Sequence, residues 1–520
     1  MIFSFILAYL EHLSKRWPEV CLASFLGYLS LRCYLTYKTQ IIANWPIVGG
    51  LPYLLKNVYR LHEWSAELST IGTSYLFKGP LLGRQELLLT CDPRNVEYIL
   101  KTNFSNFPKG PEYLETLEVL GQGIFSVDSD SWHQQRKMAN KAFGAKDFRS
   151  SIATMSQKVV EDKLLPLLKH LQAQVCTIDL QDVLLRYSFD SSCAIILGEI
   201  PGSLSPSLSS NEFSQAIDDA REVIFFRNVM PRRWWKLLRS LRMGREREVA
   251  RILKTLDQYM AHYISSKRED LLRGVEANDL LATYMKFHED RNDMSLNGDK
   301  FLRDTVLNFI FAGRDTVASG LTMFFWLVSK NPRVEKKIME ELRILHAKNV
   351  ADSSRLMKPN EPCIYRLEDL RSLVYLQAAL YESMRLYPPV PLNRKGVLKE
   401  DVLPDGNVVR PGMQITFSIY AMGRMQSIWG EDCLEFKPER WFGDDGKLLS
   451  ESKFKYFVFN IGPRTCIGKD MAITQMKLAV AAILFNFHVE VLDGQSASPK
   501  PSTILQLKNG LMVKIKHRVA

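Results

Sequence analysis

Apolar residues open the chain in two pieces. Positions 1–10 carry no charge, Glu11, Lys15 and Arg16 interrupt, and positions 17–37 run mostly apolar with Arg32 near the far end. The uninterrupted core, 20–31, is shorter than the ~20 residues a membrane span needs. Trp17, Tyr34 and Tyr37 as interfacial anchors, with Arg32 snorkelling, extend it enough to predict one membrane anchor over 1–40. A cleaved signal peptide is the competing reading, without an evident small-residue cleavage site. A turn-rich hinge follows over 41–59, around Pro46, Gly49, Gly50 and Pro52. From about residue 60 onward long helical periods dominate, among them 301–330 and a buried helix from Lys469 to about 484. Strand candidates are few and short, such as 86–90 and 414–417. The stretch 232–247 sets Trp234, Leu237, Leu238 and Leu241 at helical spacing opposite arginines, the pattern of a helix lying on a membrane surface. No linker breaks the chain after the hinge.

Composition narrows the classes. A chain of 520 residues, 46% hydrophobic, can bury a large core, and its length alone would accommodate about two to four domains. The eight cysteines (21, 33, 91, 176, 193, 363, 433, 466) form no C-x-x-C pair, which argues against a zinc site or a disulfide framework and for a reducing compartment. A net charge of +11 suggests an acidic partner. Without a helix-turn-helix, zinc-finger or RNA-binding signature, nucleic acid is the weakest choice. The chain also lacks a P-loop, an H-E-x-x-H motif and a dinucleotide fingerprint. Gly121-Gln-Gly123 has no third glycine and no βαβ context.

Four constellations carry chemistry. In Phe459-Asn-Ile-Gly462-Pro-Arg464-Thr-Cys466-Ile-Gly468, one thiol sits between glycines just ahead of a helix. The helix dipole lowers its pKa toward thiolate, the glycines permit close approach of a flat partner, and Arg464 offers a cation to an acidic group on it. Together these describe the axial-ligand loop of a haem. In Phe309-Ile-Phe-Ala312-Gly313-Arg-Asp315-Thr316, the glycine leaves room beside a long helix for a diatomic ligand. Thr316 can bond back to a carbonyl or hold a water, and Asp315 can pass protons inward. Glu382 and Arg385 stand one turn apart, ordinarily a surface pair. Trp132 and Arg136 share a helix face and can reach one acidic group together.

The first segment matches F-x-x-G-x-R-x-C-x-G at every fixed position, and the chain resembles the cytochromes P-450, the haem-thiolate monooxygenases. The second segment is similar to that family's [A/G]-G-x-[D/E]-T motif, and Glu382 to Arg385 to its E-x-x-R. The resemblance implies a mainly α fold with a small β part, in one catalytic domain over 60–520. It implies haem b ligated through iron by Cys466 and held by Trp132, Arg136, Phe459, Gly462, Arg464 and Gly468. Asp315 and Thr316 would deliver protons, and Glu382, Arg385 and Arg440 (from Pro438-Glu-Arg440-Trp441) would lock the fold. An apolar pocket is expected from Ile124, Phe125, Phe225, Phe226, Phe311, Ala312, Leu392 and Ile504. Without a dinucleotide fold of its own, the enzyme would draw NADPH electrons through a separate reductase, with cytochrome b5 as a further candidate partner. Lys137, Lys141, Lys453, Lys455, Lys469 and Lys477 are candidates for the basic docking face.

Finer features, Tyr387-Pro-Pro-Val-Pro-Leu-Asn-Arg-Lys and Phe107-Pro-Lys-Gly110, look like the plant branch that hydroxylates fatty acids and alkanes. The resemblance thus implies an enzyme in the endoplasmic reticulum membrane, facing the cytosol, that inserts oxygen from O2 into a lipophilic substrate, most simply a long-chain aliphatic. Oxidation of a plant specialised metabolite, including phenol coupling, is the alternative. A haem-thiolate isomerase or a non-catalytic tethered helical protein would leave the acid–alcohol pair or the four ordered motifs unexplained.

Overall fold

A computed structural model describes residues 17–39, 42, 44, 45, 48–79, 86–289, 298–351, 363, 365–449 and 454–518. The helices are α1 (Trp17–Thr39), α2 (Leu51–Asn57), α3 (Leu61–Ser69), α4 (Pro93–Glu97), α5 (Pro111–Thr116), α6 (Ser129–Gly144), α7 (Lys146–Val159), α8 (Leu165–Ala173), α9 (Leu180–Leu197) and α10 (Glu212–Val229). They continue with α11 (Arg232–Ser240), α12 (Val249–Leu272), α13 (Leu280–Glu289), α14 (Gly298–Lys330), α15 (Pro332–Ala351), α16 (Leu367–Leu370), α17 (Val374–Leu386), α18 (Ile419–Met422), α19 (Gln426–Trp429) and α20 (Lys469–Asn486). One sheet joins β1 (Ser74–Lys78), β2 (Glu86–Thr90), β7 (Gln414–Ser418) and β4 (Leu392–Gly396) in that order, with β2 and β7 parallel and the other pairs antiparallel. A second, antiparallel sheet sets β9 (Met512–His517) between β3 (Thr177–Asp179) and β8 (Phe487–Val491), and β5 (Asp401–Val402) pairs with β6 (Val408–Val409).

The long central helix α14 organises the core. Phe301, Leu302, Val306, Leu307 and Ile310 pack into one cluster with α9, α10 and α12, whereas Val317, Leu321, Phe324 and Phe325 pack into another with α15, α17 and α20. Each such apolar side chain contributes about 1.5–3 kcal/mol on burial. Polar groups bolt a neighbouring loop to the same helix. The Gln122 amide donates to Asp304 at 2.7 Å, the Phe125 amide donates to Asn308 Oδ1 at 3.1 Å, and Asn308 Nδ2 donates to the Leu120 carbonyl at 2.8 Å. Gly121 and Gly123 are explained by this packing, since a Cβ on either would lie within about 2 Å of Asp304 or Asn308. Capping closes the flanking helices: Asp179 accepts from the Gln181 amide at the start of α9, which ends on left-handed Gly198.

Among the described residues the expected membrane span is not found. Helix α1 exposes Trp17, Leu22, Phe25, Leu26 and Leu31, but no described helix is long and apolar enough to cross a membrane. Glu19, Arg32 and Lys38, with Ser24, Ser30 and Thr36 between them, dilute its hydropathy. The uncharged 1–10 segment lies outside the described residues, and the hinge contains the short helix α2.

The surface helix at 232–247 is shorter than its pattern, with α11 followed by a 3-10 turn at Gly244–Arg247. Trp234, Leu237 and Leu241 are exposed (64%, 59% and 56%), whereas Trp235 is buried beneath the Arg227 guanidinium, 4.8 Å from its ring. Its bases turn toward the acidic segment at 112–118. Arg232 and Lys236 pair with Glu115 at 2.5 and 2.9 Å, and Arg239 pairs with Glu118 at 2.6 Å.

Candidate active site

The Cys466 loop is built by its own backbone. The Cys466 amide donates to the Phe459 carbonyl at 2.7 Å, and the Thr465 amide and hydroxyl both donate to the Gly462 carbonyl. Asn460 and Gly462 turn the chain through positive φ, 58° and 68°. At Gly462 glycine is obligatory, because a Cβ would fall 1.9 Å from the Leu100 carbonyl oxygen. That crowding comes from protein rather than from a bound partner. Gly468 differs, since a Cβ there meets nothing within 4 Å. Helix α20 begins at the next residue, and its Met471 methyl comes within 3.8 Å of a Cβ placed on Gly313 of α14. The cysteine loop and the Gly313–Thr316 turn therefore belong to one region.

The thiol corrects a sequence expectation. Burial raises the Cys466 pKa, and the Gly468 amide, Arg136 and Lys469 oppose it without winning. Its side chain nonetheless has accessible surface, so protein crowds it without enclosing it. A Lewis-acidic metal is what would make such a thiol a thiolate.

Around it gathers an excess of buried cations. Arg464 stacks 4.4 Å over Trp132 and pairs with Asp128 at 2.5 Å, and it also donates to the Val127 carbonyl. Asp128 stands at the head of α6 but caps nothing there, accepting instead from the Lys109 and Gly110 amides. Lys395 of β4 is buried, and its ammonium has no hydrogen-bond partner among the described residues, nor has Arg464 Nε. Burial, with Arg464 beside it and Asp128 opposing, brings Lys395 down to about 7. Burial, with Asp128 opposing and Arg136 adding to it, brings Arg464 down to about 10. Burial, then Arg464 and Lys395, press Lys109 well below its ordinary value.

One aspartate facing Arg464, Lys109 and Lys395, with Arg136 adding to the charge on Arg464, leaves a site short of anions. A haem fits it, because its two propionates would supply the missing charge and its iron would meet the thiol. Sequence alone left Lys109, Lys395 and Asp128 unnoticed. The lysines lie in segments typical of the plant branch, but nothing local separates an inward lysine from a solvated one.

The cytochrome P450 family model matches residues 44–515. The chain belongs to the cytochrome P450 family. It is similar to cytochrome P450 86B1 of Arabidopsis thaliana (40% identical over 96% of this chain and 90% of the relative) and to alkane hydroxylase MAH1 of the same plant (38%, over 94% and 97%). It also resembles noroxomaritidine synthase 2 of Narcissus pseudonarcissus (37%, over 97% of both). As a member of this family the chain is a haem-dependent monooxygenase, with haem b as cofactor and NADPH-derived electrons delivered by a reductase.

On α14 of this P450, the Thr316 hydroxyl donates to the Ala312 carbonyl at 2.7 Å. Asp315 is wholly buried. Its Oδ1 lies 2.8 Å from Arg314 and 2.9 Å from Arg221, and its Oδ2 has no partner among the described residues. Both arginines also hold Asp218 of α10 at 2.8 Å. Burial alone would raise Asp218, but the charge and hydrogen bonds of Arg314 override it and hold that carboxyl below its usual range. The acid–alcohol pair is thus tethered to α10 by a four-charge cluster that no local motif announces.

Gly313 has a packing role that its motif does not announce. A Cβ there would lie 2.6 Å from Ser192 Oγ of α9, so the missing side chain admits close packing of α9 against α14.

Among the expected pocket residues, Ile124 and Phe125 sit on the loop bolted to Asn308, and the Phe125 carbonyl accepts from Lys109 at 2.7 Å. Leu392 lies on β4, opposite Ser418. Phe226, Phe311, Ala312 and Ile504 are half-buried, whereas Phe225 lines an outer cleft with Val58, Tyr59, Pro499 and Pro501.

Glu382, fully buried, accepts from Arg385 twice (2.8 and 2.9 Å), from Trp441 at 3.0 Å and from Arg440 at 3.3 Å. Arg385 also donates to the Gly423, Cys433 and Glu435 carbonyls. Of the candidate docking lysines, Lys137, Lys141, Lys455 and Lys469 are exposed and Lys453 lies outside the described residues. Lys477 is removed from that face, because it is buried and donates to the Leu370 carbonyl at 2.8 Å.

Proposed function

We propose that this P450 hydroxylates a long-chain aliphatic substrate at an unactivated carbon, with Cys466 as the axial ligand of its haem. When bound, the haem supplies oxygen activation, and the thiolate donates electron density that favours O–O cleavage. Trp132, Arg136, Arg464, Lys109 and Lys395 would hold the propionates, and Gly468 would leave space for the ring. Thr316 and Asp315 would manage protons during oxygen activation. The carbonyl of Ala312 holds the alcohol, and the ion pairs with Arg221 and Arg314 fix the position of the acid.

Supporting this reading, the apolar Phe125 accepts from Lys109 through its carbonyl and Leu392 shares β4 with Lys395, so both lie on segments that reach the cation cluster. Similarity to an alkane hydroxylase supports the same reading. Similarity to noroxomaritidine synthases supports the alternative, oxidation of a plant specialised metabolite. The exposed apolar faces of α1 and α11 favour association with the endoplasmic reticulum membrane, the catalytic body facing the cytosol. Cytochrome b5 is a second electron donor in this reading.

The test is a binding-spectrum screen of the haem-loaded enzyme against fatty acids, alkanes and phenolic alkaloids. A low-spin to high-spin shift with aliphatics is expected. A shift confined to the phenolics would refute the aliphatic reading. Cys466→Ala should abolish the red-shifted Soret band of the reduced carbonyl complex.

A further inference from the structure

On β4, residues alternate in direction, so Arg394 falls on the side of Leu392 while Lys395 joins the cation cluster of the haem site. Arg394 lies where three elements meet. Its Nη1 donates to Asn228 Oδ1 of α10 at 3.2 Å, and its guanidinium carbon is 5.8 Å from the ring of Tyr113 on α5. Lys109 approaches the same ring, at 5.7 Å. An amide and a distant ring do not neutralise a guanidinium, and Arg394 makes no ion pair with a carboxylate among the described residues. The acidic group that bears on it, Glu112, stands 3.7 Å from Arg232. Surrounding protein depresses the basicity of Arg394, chiefly through burial, yet part of its surface is accessible, as at Cys466. A cation in that position has exchanged water for protein without gaining a counter-charge, a costly arrangement unless a ligand supplies one.

We propose that Arg394 is a specificity residue that pairs with the carboxylate of a long-chain acid, seating the head group between α5, α10 and β4 while the alkyl tail runs past Leu392 and Phe125. This rests on the aliphatic reading above and sharpens it, because an alkane has nothing to offer Arg394. The ion pairs of α11 with Glu115 and Glu118 fix the segment that carries Tyr113.

The test titrates the full-length, haem-loaded enzyme with hexadecanoate and with its methyl ester, following the spin shift. A charge-assisted pair predicts that the wild type binds the acid about ten- to hundred-fold more tightly than the ester. Arg394→Gln should bring the acid to the affinity of the ester and leave the ester within about two-fold. Arg394→Lys should keep part of the preference. The reduced carbonyl spectrum checks that each variant retains its haem site, and if Arg394→Gln fails that check, Arg394→Lys carries the comparison. An acid preference absent from the wild type, or undiminished in the variants that pass, overturns the proposal while leaving the aliphatic reading standing. Failure of acid and ester alike to shift the spin state, with a phenolic alkaloid succeeding, overturns both.

Discussion

Gly462 and Gly468 flank the same cysteine and should fail in opposite ways when given a methyl group. At Gly462, alanine must adopt φ of 68° and place its Cβ 1.9 Å from the Leu100 carbonyl oxygen. The left-handed conformation costs roughly 1–2 kcal/mol for a residue with a Cβ. The clash is with backbone, which cannot rotate aside, and overpacking of that kind adds about 1–3 kcal/mol. The sum, about 2–5 kcal/mol, is a large share of the about 5–15 kcal/mol that stabilises a typical domain. Gly468→Ala meets no protein atom within 4 Å and keeps an ordinary φ of −89°, so its folding cost should be about 0.5 kcal/mol or less. If the empty space beside Gly468 is where the haem ring lies, its methyl group should cost cofactor affinity instead. Guanidinium unfolding of the haem-free protein, followed by tryptophan fluorescence, measures the first quantity, and haem titration read from the reduced carbonyl Soret band measures the second. Gly462→Ala should shift the unfolding midpoint strongly, and Gly468→Ala should weaken haem binding with the midpoint unchanged. Equal loss of haem affinity in both, with neither destabilised, would show that both glycines serve the cofactor directly and would refute this division of roles.

Two further outcomes test the scaffold. Glu382→Gln leaves Arg385 fully buried without its counter-charge, and breaking such a pair should cost about 3–5 kcal/mol; a thermal midpoint at fixed scan rate close to wild type would contradict the locking role. His62 is buried and brought down to about 4 by burial and then by Arg424, against ~6.5 in an unfolded chain, so between those values the unfolded state takes up a proton that the native state refuses. Stability should therefore be insensitive to this group above about pH 6.5 and should fall as the pH drops toward 4, by up to ~3 kcal/mol, and His62→Phe should flatten that limb of a stability–pH profile.

What the chain spells out locally is the chemistry around short motifs. Cys466, the Asp315–Thr316 pair and the E-x-x-R glutamate are legible because fixed spacing on one loop or helix turn carries them, and the long apolar period of α14 follows from the same local rule. The Thr316 back-bond likewise depends on one helical turn alone. Tertiary structure decided everything that needs a partner from far along the chain. Gly313 faces Ser192, Gly462 faces Leu100, and Asp315 is held by Arg221, all across separations that no periodicity encodes. Lysines show the limit most plainly. Lys395 and Lys477 are buried while Lys137 and Lys469 are exposed, although all four are the same residue beside the same motifs. Burial is a property of what packs around a side chain. Hence the sequence by itself determined the haem-thiolate reaction class, whereas packing decided which cations wait for an anion, and Arg394 with them.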